Sequence, residues 1–343
     1  MTNNTPKYKY GRNVRLLIES DDTVFDLSDF RITFQVVHAC VSTPKTLTCR
    51  IYNLSHGGKN SSNTVAEIQS AKNKFISLSA WYDGEQPKRL FYGQVRQIYA
   101  GRESPTDTYL NIRAYVLAEM FAMSSVKNIL AKGWTYEQAI KNVLGNVKGL
   151  KVGKYPNKKG SGSRPKVVYG NTRDIIRGLA QNFGSIPIQN DDGTISFIEI
   201  GKLNQPIKGN ESIFVTTHNG LIGIPLQIPE GVQATCLMEP RIELGGTVDI
   251  YSKNDNDNRT MIQQEDVQQG YGQVNGGNQI TDSNGLDTVM GLDYNGKYNV
   301  IYVDHFGDTR GTTWYTTFIG QAADVSQQSI ETTTAAGSVG ALG

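Results

Sequence analysis

The sequence predicts a mainly β protein in which two antiparallel β domains flank a small α+β module. Apolar and polar residues alternate along much of the first and last thirds of the chain, which is typical of strands with one buried face. Seventeen tyrosines, eleven phenylalanines and 36 glycines favour strands and turns over a helical bundle. Helical spacing with capping signals is confined to short segments, two of them in the middle of the chain.

Composition excludes several classes of protein. With 343 residues, 38% of them apolar and 19% charged, the chain is expected to fold into two or three domains. A formal net charge of +2 requires neither a nucleic-acid nor a membrane partner, and no apolar run reaches the length of a transmembrane helix. The start of the chain lacks the apolar core of a signal peptide. We expect Cys40, Cys49 and Cys236 to be reduced structural residues of a protein made in a cytoplasm.

A long hairpin from Phe30 to Ser55 is the clearest element. Two alternating runs, 30–36 and 47–52, are separated by a loop at 42–45 in which Pro44 presets one backbone angle. One face of the hairpin is apolar and the other is polar. The polar face supplies the candidate functional residues, which are Arg31, Thr33, Gln35, Thr48, Arg50 and Tyr52.

The hairpin belongs to a first β domain, predicted over residues 1–118, with about six strands. The pattern Thr64-Val65-Ala66-Glu67 is a capping box and predicts a short helix. The other predicted strands of this domain are 14–18, 76–80, 91–99 and 109–115.

An α+β module is predicted over residues 119–208. A capping box at Thr135 and a predicted cap at Thr172 each begin a helix, and Asp191-Asp192-Gly193 marks a hairpin. The segment 118–129 is either helix or a loosely packed arm. The loop 148–166 carries seven lysines and arginines, so it is either a solvated linker or a contact for a phosphate or an acidic partner.

A second β domain is predicted over residues 209–330, with strands near 232–238, 247–251, 298–306 and 314–319. Residues 253–287 are dominated by Asn, Gln, Asp and Gly, and we interpret them as a long exposed loop. Residues 331–343 are expected to form a flexible tail. Two β domains around an insert suggest an internal duplication.

Motifs for catalysis or cofactor binding are missing from the sequence. Asp255 and Asp257 suggest a calcium loop, but the glycine and the closing glutamate of that motif are not there. Asp304, His305 and Asp308 form the only acid–histidine cluster, and a hydrogen-bonded strand-end histidine is the simpler interpretation. We therefore predict no catalytic residue, no cofactor and no metal site.

Short motifs follow one another over most of the chain. They are YGR at 10–12, LSDFRITF at 27–34, TPKT at 43–46, RIYNLS at 50–55, FYGQV at 91–95, GRE at 101–103, TDTYL at 106–110, GLIGIP at 220–225, LMEPR at 237–241, GGTV at 245–248, and YVDHFGDTRG at 302–311 with Trp314-Tyr315. In this order they resemble the motifs of the baseplate hub family of contractile-tailed phages. Two segments depart from the family pattern, His56–Asn63 and 253–287.

This resemblance implies a non-catalytic late protein of the virion tail, made in the host cytoplasm. Each subunit would supply two tube-protein-like antiparallel β-barrel domains, and three subunits would form a ring of pseudo-sixfold symmetry. One side of the ring would meet the tail tube, directly or through an adaptor, and the other would hold the trimeric spike. The tape-measure protein and DNA would pass through the lumen at genome ejection.

Several alternatives stay open at this point. The polar hairpin face either lines the lumen, lies at a subunit interface, or simply faces solvent. The 253–287 loop is a candidate contact with neighbouring baseplate proteins. A tail-associated cell-wall hydrolase would use the acid–histidine cluster, and a hub component of a related contractile injection system would share the fold but not the setting.

Overall fold

A computed structural model describes most of the chain. The described residues are 9–40, 43–57, 63–118, 124–145, 151–154, 161–199, 212–228, 230–250, 263–264, 273–275, 279–281, 287–290 and 296–322. Within them the fold is mainly β, as the sequence predicts, with one large and largely antiparallel sheet.

Seven strands and one short helix make up the first part of the fold. The strands are β1 (Arg12–Glu19), β2 (Val24–Asp26), β3 (Ile32–Ala39), β4 (Thr46–Tyr52), β5 (Phe75–Tyr82), β6 (Lys88–Arg102) and β7 (Thr108–Tyr115). The β3–β4 hairpin is confirmed, with Phe34 opposite Cys49. Helix α1 (Val65–Ser70) begins at the predicted capping box, where Thr64 and Glu67 each accept the other's backbone N–H.

The middle of the chain forms two small sheets and two helices. The strands are β8 (Ser125–Leu130), β9 (Lys151–Val152), β10 (Lys166–Asn171), β11 (Ser185–Gln189) and β12 (Thr194–Glu199), and the helices are α2 (Tyr136–Gly145) and α3 (Thr172–Asn182). β8 pairs with β10, and β12 pairs with both β11 and β9. The hairpin predicted around Asp191-Asp192-Gly193 is the β11–β12 connection.

Two predictions for this module are corrected. The segment expected as helix or arm contains strand β8, because Val126, Asn128 and Leu130 face the helices while Lys127 and Ile129 face outward. Asn171, rather than Thr172, caps helix α3, since its side chain accepts the N–H of Arg173 at 2.9 Å.

The last part of the chain returns to the large sheet. Its strands are β13 (Ile213–Val215), β14 (Leu221–Ile228), β15 (Gly231–Leu237), β16 (Thr247–Ile250), β17 (Gln263–Gln264), β18 (Gln273–Asn275), β19 (Gln279–Thr281), β20 (Asp287–Met290), β21 (Gly296–Asp308) and β22 (Trp314–Ala322). The segment 253–287, interpreted as one loop, contains β17 to β19 and the first residue of β20, and β18–β19–β20 pair as a three-stranded sheet. Its other residues, residues 148–150 and 155–160 of the basic loop, and the tail 331–343 lie outside the described residues.

One continuous open sheet replaces the two separate β-barrels that the resemblance implies. Its fourteen strands follow the order β17-β14-β15-β22-β21-β3-β4-β7-β6-β5-β1-β2, with β16 on β21 and β13 on β16. The two halves form one sheet because β21 is long enough to pair with strands of both halves. Its first residues pair with β16, and Tyr302 to Asp308 pair with β3.

Three apolar clusters form the interior of the described residues. The first lies under β1 to β7 and also takes in Met238 and Trp314 from the last part of the chain. The second lies between the helices and small sheets of the middle module, and the third lies under β14 to β16 with β21 and β22. The domain bounds 1–118, 119–208 and 209–330 stay a prediction, although each cluster draws mainly on one of these ranges.

Candidate functional site

The polar face of the central sheet is built by strand alternation. Side chains directly across paired strands share a face, so the hairpin's polar residues continue onto β21, β7 and β6. Two rows cross the sheet, and neither contains an aliphatic side chain. They are Asp308–Thr33–Arg50–Asn111–Tyr99 and Phe306–Gln35–Thr48–Arg113–Gln97.

Ion pairs and ring contacts hold the arginines of this face. The Nη2 of Arg31 lies 2.8 Å from Oδ2 of Asp308, and its guanidinium lies 4.6 Å from the ring centre of Tyr52. Burial alone would raise the pKa of Asp308, but the hydrogen bonds from Arg31 and from the Arg310 backbone lower it. Arg50 lies 4.5 Å from the ring centre of Tyr109. The arginines are therefore fixed in position.

A second carboxylate lies on the same face. Oδ2 of Asp304 accepts hydrogen bonds from Gln35 at 2.8 Å and from the Tyr302 hydroxyl at 3.3 Å, while its Oδ1 has no partner. Burial raises the pKa of Asp304 more than these two hydrogen bonds lower it. The two hydrogen bonds fix the position of the carboxylate.

The face is slightly hollow at its centre. A shallow depression of about 360 Å³ is lined by Thr33, Gln35, Thr48 and Arg50, together with neighbours from β7 and β21. Asn111 closes its floor, and its Oδ1 has no hydrogen-bond partner. An acceptor without a partner at this depth can bind a water molecule, or a hydrogen-bond donor of a molecule that contacts the face.

The structure brings all six candidate residues onto this one surface. Arg31 and Gln35 are exposed, while Thr33, Thr48 and Arg50 are half-buried. Tyr52 differs, because only 7% of it is exposed, beneath the Arg31 guanidinium. Alternation in the sequence could not distinguish an exposed tyrosine from one that is covered by an arginine just before the neighbouring strand.

The acid–histidine cluster is not assembled. Asp304 and His305 are adjacent in β21 and therefore point to opposite faces. The His305 Nδ1 lies 2.8 Å from the Thr316 hydroxyl on the buried side, and burial lowers its pKa to about 3. Asp308 is committed to Arg31. Within the described residues no group of three or more His, Cys, Asp or Glu is placed to hold a metal ion.

A buried junction joins the middle module to the sheet, and sequence analysis missed it. Nζ of Lys45 lies 2.7 Å from Oδ2 of Asp191, and the Lys45 N–H donates to Oε1 of Gln189 at 3.3 Å. These groups line a cavity of about 250 Å³ with His38 and His305. Burial lowers the pKa of His38 to about 3, so both imidazoles are neutral. No local pattern links residues so far apart in the chain.

Glu239 forms a second buried junction that sequence analysis missed. Its carboxylate accepts two hydrogen bonds from Arg241, at 2.8 and 2.9 Å, and one from Lys9 at 2.8 Å. Burial alone would raise the pKa of Glu239, but these partners lower it to about 2. The sequence signal for this junction was the LMEPR segment, in which a single proline separates Glu239 from Arg241.

The fold is that of tail proteins from phages and a related secretion system. It resembles the 43 kDa tail protein of prophage MuSo2 from Shewanella oneidensis, with a TM-score of 0.55, 9% identity, and coverage of 90% of this chain and 97% of that chain. It also resembles the tail protein from Neisseria meningitidis MC58, with a TM-score of 0.53, 9% identity, and coverage of 91% and 97%.

A third similar structure is the E. coli c3393 protein, a component of the type VI secretion system that is itself similar to the T4 bacteriophage tail proteins gp27 and gp5. The TM-score is 0.55 at 10% identity, and the match covers 89% of this chain and 76% of that chain. These likenesses establish the fold. No protein-family model matches the sequence, and no curated protein matches it. No helix in the described part of the chain is long and apolar enough to cross a membrane.

Proposed function

We propose that this chain is a structural hub subunit of a contractile phage tail, forming the ring between the tail tube and the central spike. The observation that carries the proposal is the broad polar face of the central sheet, on a fold shared with phage tail proteins. A wall that faces a water-filled channel should be polar and continuous, and the two rows that cross this face carry no aliphatic side chain.

The charge of the face suits the passage of DNA. Three arginines, Arg31, Arg50 and Arg113, share the surface with Asp304, Asp308 and Glu103. A cluster of unpaired cations would hold a polyanion, because each neutralised phosphate releases counterions. Arg31 pairs with Asp308 at 2.8 Å and Arg50 lies 3.8 Å from Glu103, and Asp304 adds a further negative charge. Such a mixed surface would let DNA and a tape-measure protein slide without being bound.

A trimer of the chain could bind both a threefold-symmetric spike and a sixfold-symmetric tail tube. Each chain contributes two halves of one open sheet, joined at β21, so a trimer presents six sheet units around the lumen. One side of this ring would meet the tail tube, directly or through an adaptor, and the other would hold the trimeric spike. Segment 253–287 would contact neighbouring baseplate proteins.

Electron microscopy of the purified chain with candidate spike and tube proteins tests the proposal. We expect closed rings with a central hole whose wall is the polar face of β3, β4 and β7. A particle without a hole, or one with this face turned to the outside, would contradict it.

A hub of a related contractile injection system is the second candidate. It is favoured by the fold shared with the type VI secretion component from E. coli. Genome neighbourhood separates the two, since a phage tail hub lies among other tail genes. The hydrolase alternative has lost its one candidate cluster, because Asp304 and His305 lie on opposite sides of the sheet.

A further inference from the structure

The most exposed apolar surface of the described chain lies on the middle module. On the outer face of the β8–β10 pair, Ile129 is 67% exposed, Val167 is 72% exposed and Tyr169 is 73% exposed. Ile129 lies directly opposite Val167, and Tyr169 lies opposite Lys127, so the four side chains form one patch. The other face of the pair packs on the helices. A contiguous apolar patch of this kind usually marks an interaction site.

Positive charges surround this patch at both ends. Nζ of Lys127 lies 5.7 Å from the ring centre of Tyr169, and the exposed residues Lys132 and Arg164 lie just after β8 and just before β10, at the opposite end. In the described part of the chain none of these three cations has a carboxylate partner. A partner surface for this patch should therefore combine an apolar centre with a negative rim.

Another surface of the same chain has that character. Strand β2 is the last strand at one end of the large sheet, and its Val24 is 59% exposed. Glu19 in β1 pairs with Val24 in β2 on one side and with Phe75 in β5 on the other. The three side chains therefore share one face of the sheet. The Phe75 ring stacks on Tyr92 at 5.7 Å and is partly open to solvent.

Four carboxylates lie along this edge within eight residues: Glu19, Asp21, Asp22 and Asp26. They accept hydrogen bonds from neutral groups, such as Asn73 on Asp21 at 2.7 Å and Tyr92 on Glu19 at 3.2 Å. The nearby Lys74 donates instead to the backbone oxygens of Gln69 and Ala71. None of the four takes part in an ion pair with another described residue, so their charge stays available.

We propose that the β8–β10 face of one copy docks on the β2 edge of the next copy. The two surfaces differ, so the contact is head-to-tail, and repetition around an axis closes a ring. The inference rests on the proposed ring and specifies how it closes. Apolar burial of Ile129, Val167 and Tyr169 against Val24 and Phe75 would stabilise the contact, and the charged rims would set its register.

Charge reversal tests the contact on the full-length chain, by light scattering after size exclusion. We expect K127E/K132E to weaken self-association about tenfold or more, and D21K/D22K to do the same. Mixing the two weakened variants should restore pairing between unlike copies, because each then meets a complementary surface, but not the closed trimer, since a ring of three keeps one contact between like copies. A variant that carries all four changes should self-associate again. K88E/K154E, with the same charge change elsewhere, should behave like the native chain.

Restored association on mixing is a result that misfolded variants cannot produce. If the native chain assembles while both reversed variants keep its mass, the docking contact is overturned and the proposed ring survives. A native chain that stays monomeric alone at every concentration also overturns the contact. It counts against the hub function only if the chain stays monomeric with the spike and tube proteins as well.

Discussion

Lys45 and Asp191 are 146 positions apart in the chain, yet their side chains are joined by an ion pair with Nζ–Oδ distances of 2.7 and 3.0 Å. The pair connects the loop before β4 to the tip of the β11–β12 hairpin. It thereby fixes the middle module against the sheet. Burial raises the pKa of Asp191 more than the ammonium of Lys45 lowers it, so desolvation costs this pair much of its attraction.

Breaking the pair from one side should therefore cost more than replacing it. We expect Asp191→Leu alone to lower the free energy of unfolding by about 3 kcal/mol, since it leaves a mostly buried ammonium unpaired. The double variant Lys45→Met/Asp191→Leu should recover most of that loss. Urea denaturation of the three proteins checks this, and a double variant as unstable as the single one would contradict it.

Glu239 predicts a loss of stability in acid. Its pKa lies near 2 in the folded chain, against 4.5 ordinarily, so the folded state binds the proton less readily than the unfolded state. Its contribution is complete above about pH 4.5 and is lost as the pH falls towards 2, amounting to roughly 3 kcal/mol. Unfolding measured from pH 5 to pH 2 should show this slope, and Glu239→Gln should flatten it.

The two buried histidines predict a separate slope at higher pH. His38 and His305 have pKa values near 3 when folded, against 6.5 ordinarily, so the unfolded chain takes up protons first. Stability should fall as the pH drops below 6.5, before Glu239 contributes. His305→Asn should reduce the slope between pH 6.5 and 4.5, whereas exposed His56 mutated in the same way should leave it unchanged.

Gly307 marks a point where only hydrogen fits. A Cβ atom there would lie 2.4 Å from Phe34 Cζ and 2.8 Å from Trp314, two rings packed edge to face at 5.6 Å. We expect Gly307→Ala to cost about 1–3 kcal/mol through overpacking of this junction. Gly178→Ala is the control, because its Cβ meets open space in helix α3 and should stabilise by about 0.5–1 kcal/mol.

The mixed charge of the polar face predicts that a variant without its carboxylates binds DNA. Asp304→Asn/Asp308→Asn would leave Arg31, Arg50 and Arg113 in excess, so we expect DNA binding to strengthen about tenfold or more at low salt and to weaken steeply as salt is added. Fluorescence anisotropy with a short duplex measures it. Glu137→Gln/Asp174→Asn makes the same charge change on the helices of the middle module and should not bind. Equal binding by both variants would contradict the assignment of the face.

Local patterns predicted most of the elements but few of their long-range contacts. The β3–β4 hairpin and helices α1 and α2 follow from alternation and capping boxes, which are short-range signals. The three-residue strand β2 was missed because it is too short to show a period. The β8 strand was ambiguous because its outer face is itself apolar at Ile129.

The candidate face was predicted in part. Its hairpin residues follow from alternation, whereas Asp304, Asp308 and Asn111 reach it only through strand pairing across the sheet. The merging of the two halves was not predictable either. It depends on the pairing of β21 with β3, which lie roughly 270 positions apart in the chain. Because this pairing closes a very long loop, no local sequence pattern indicates it.

The mass of the purified chain, measured by light scattering with the candidate spike protein present, tests the hub proposal most directly. The account predicts a complex that contains three copies of this chain for each trimeric spike, and addition of tube protein should extend it from the opposite side. A chain that remains monomeric with both partners would contradict it.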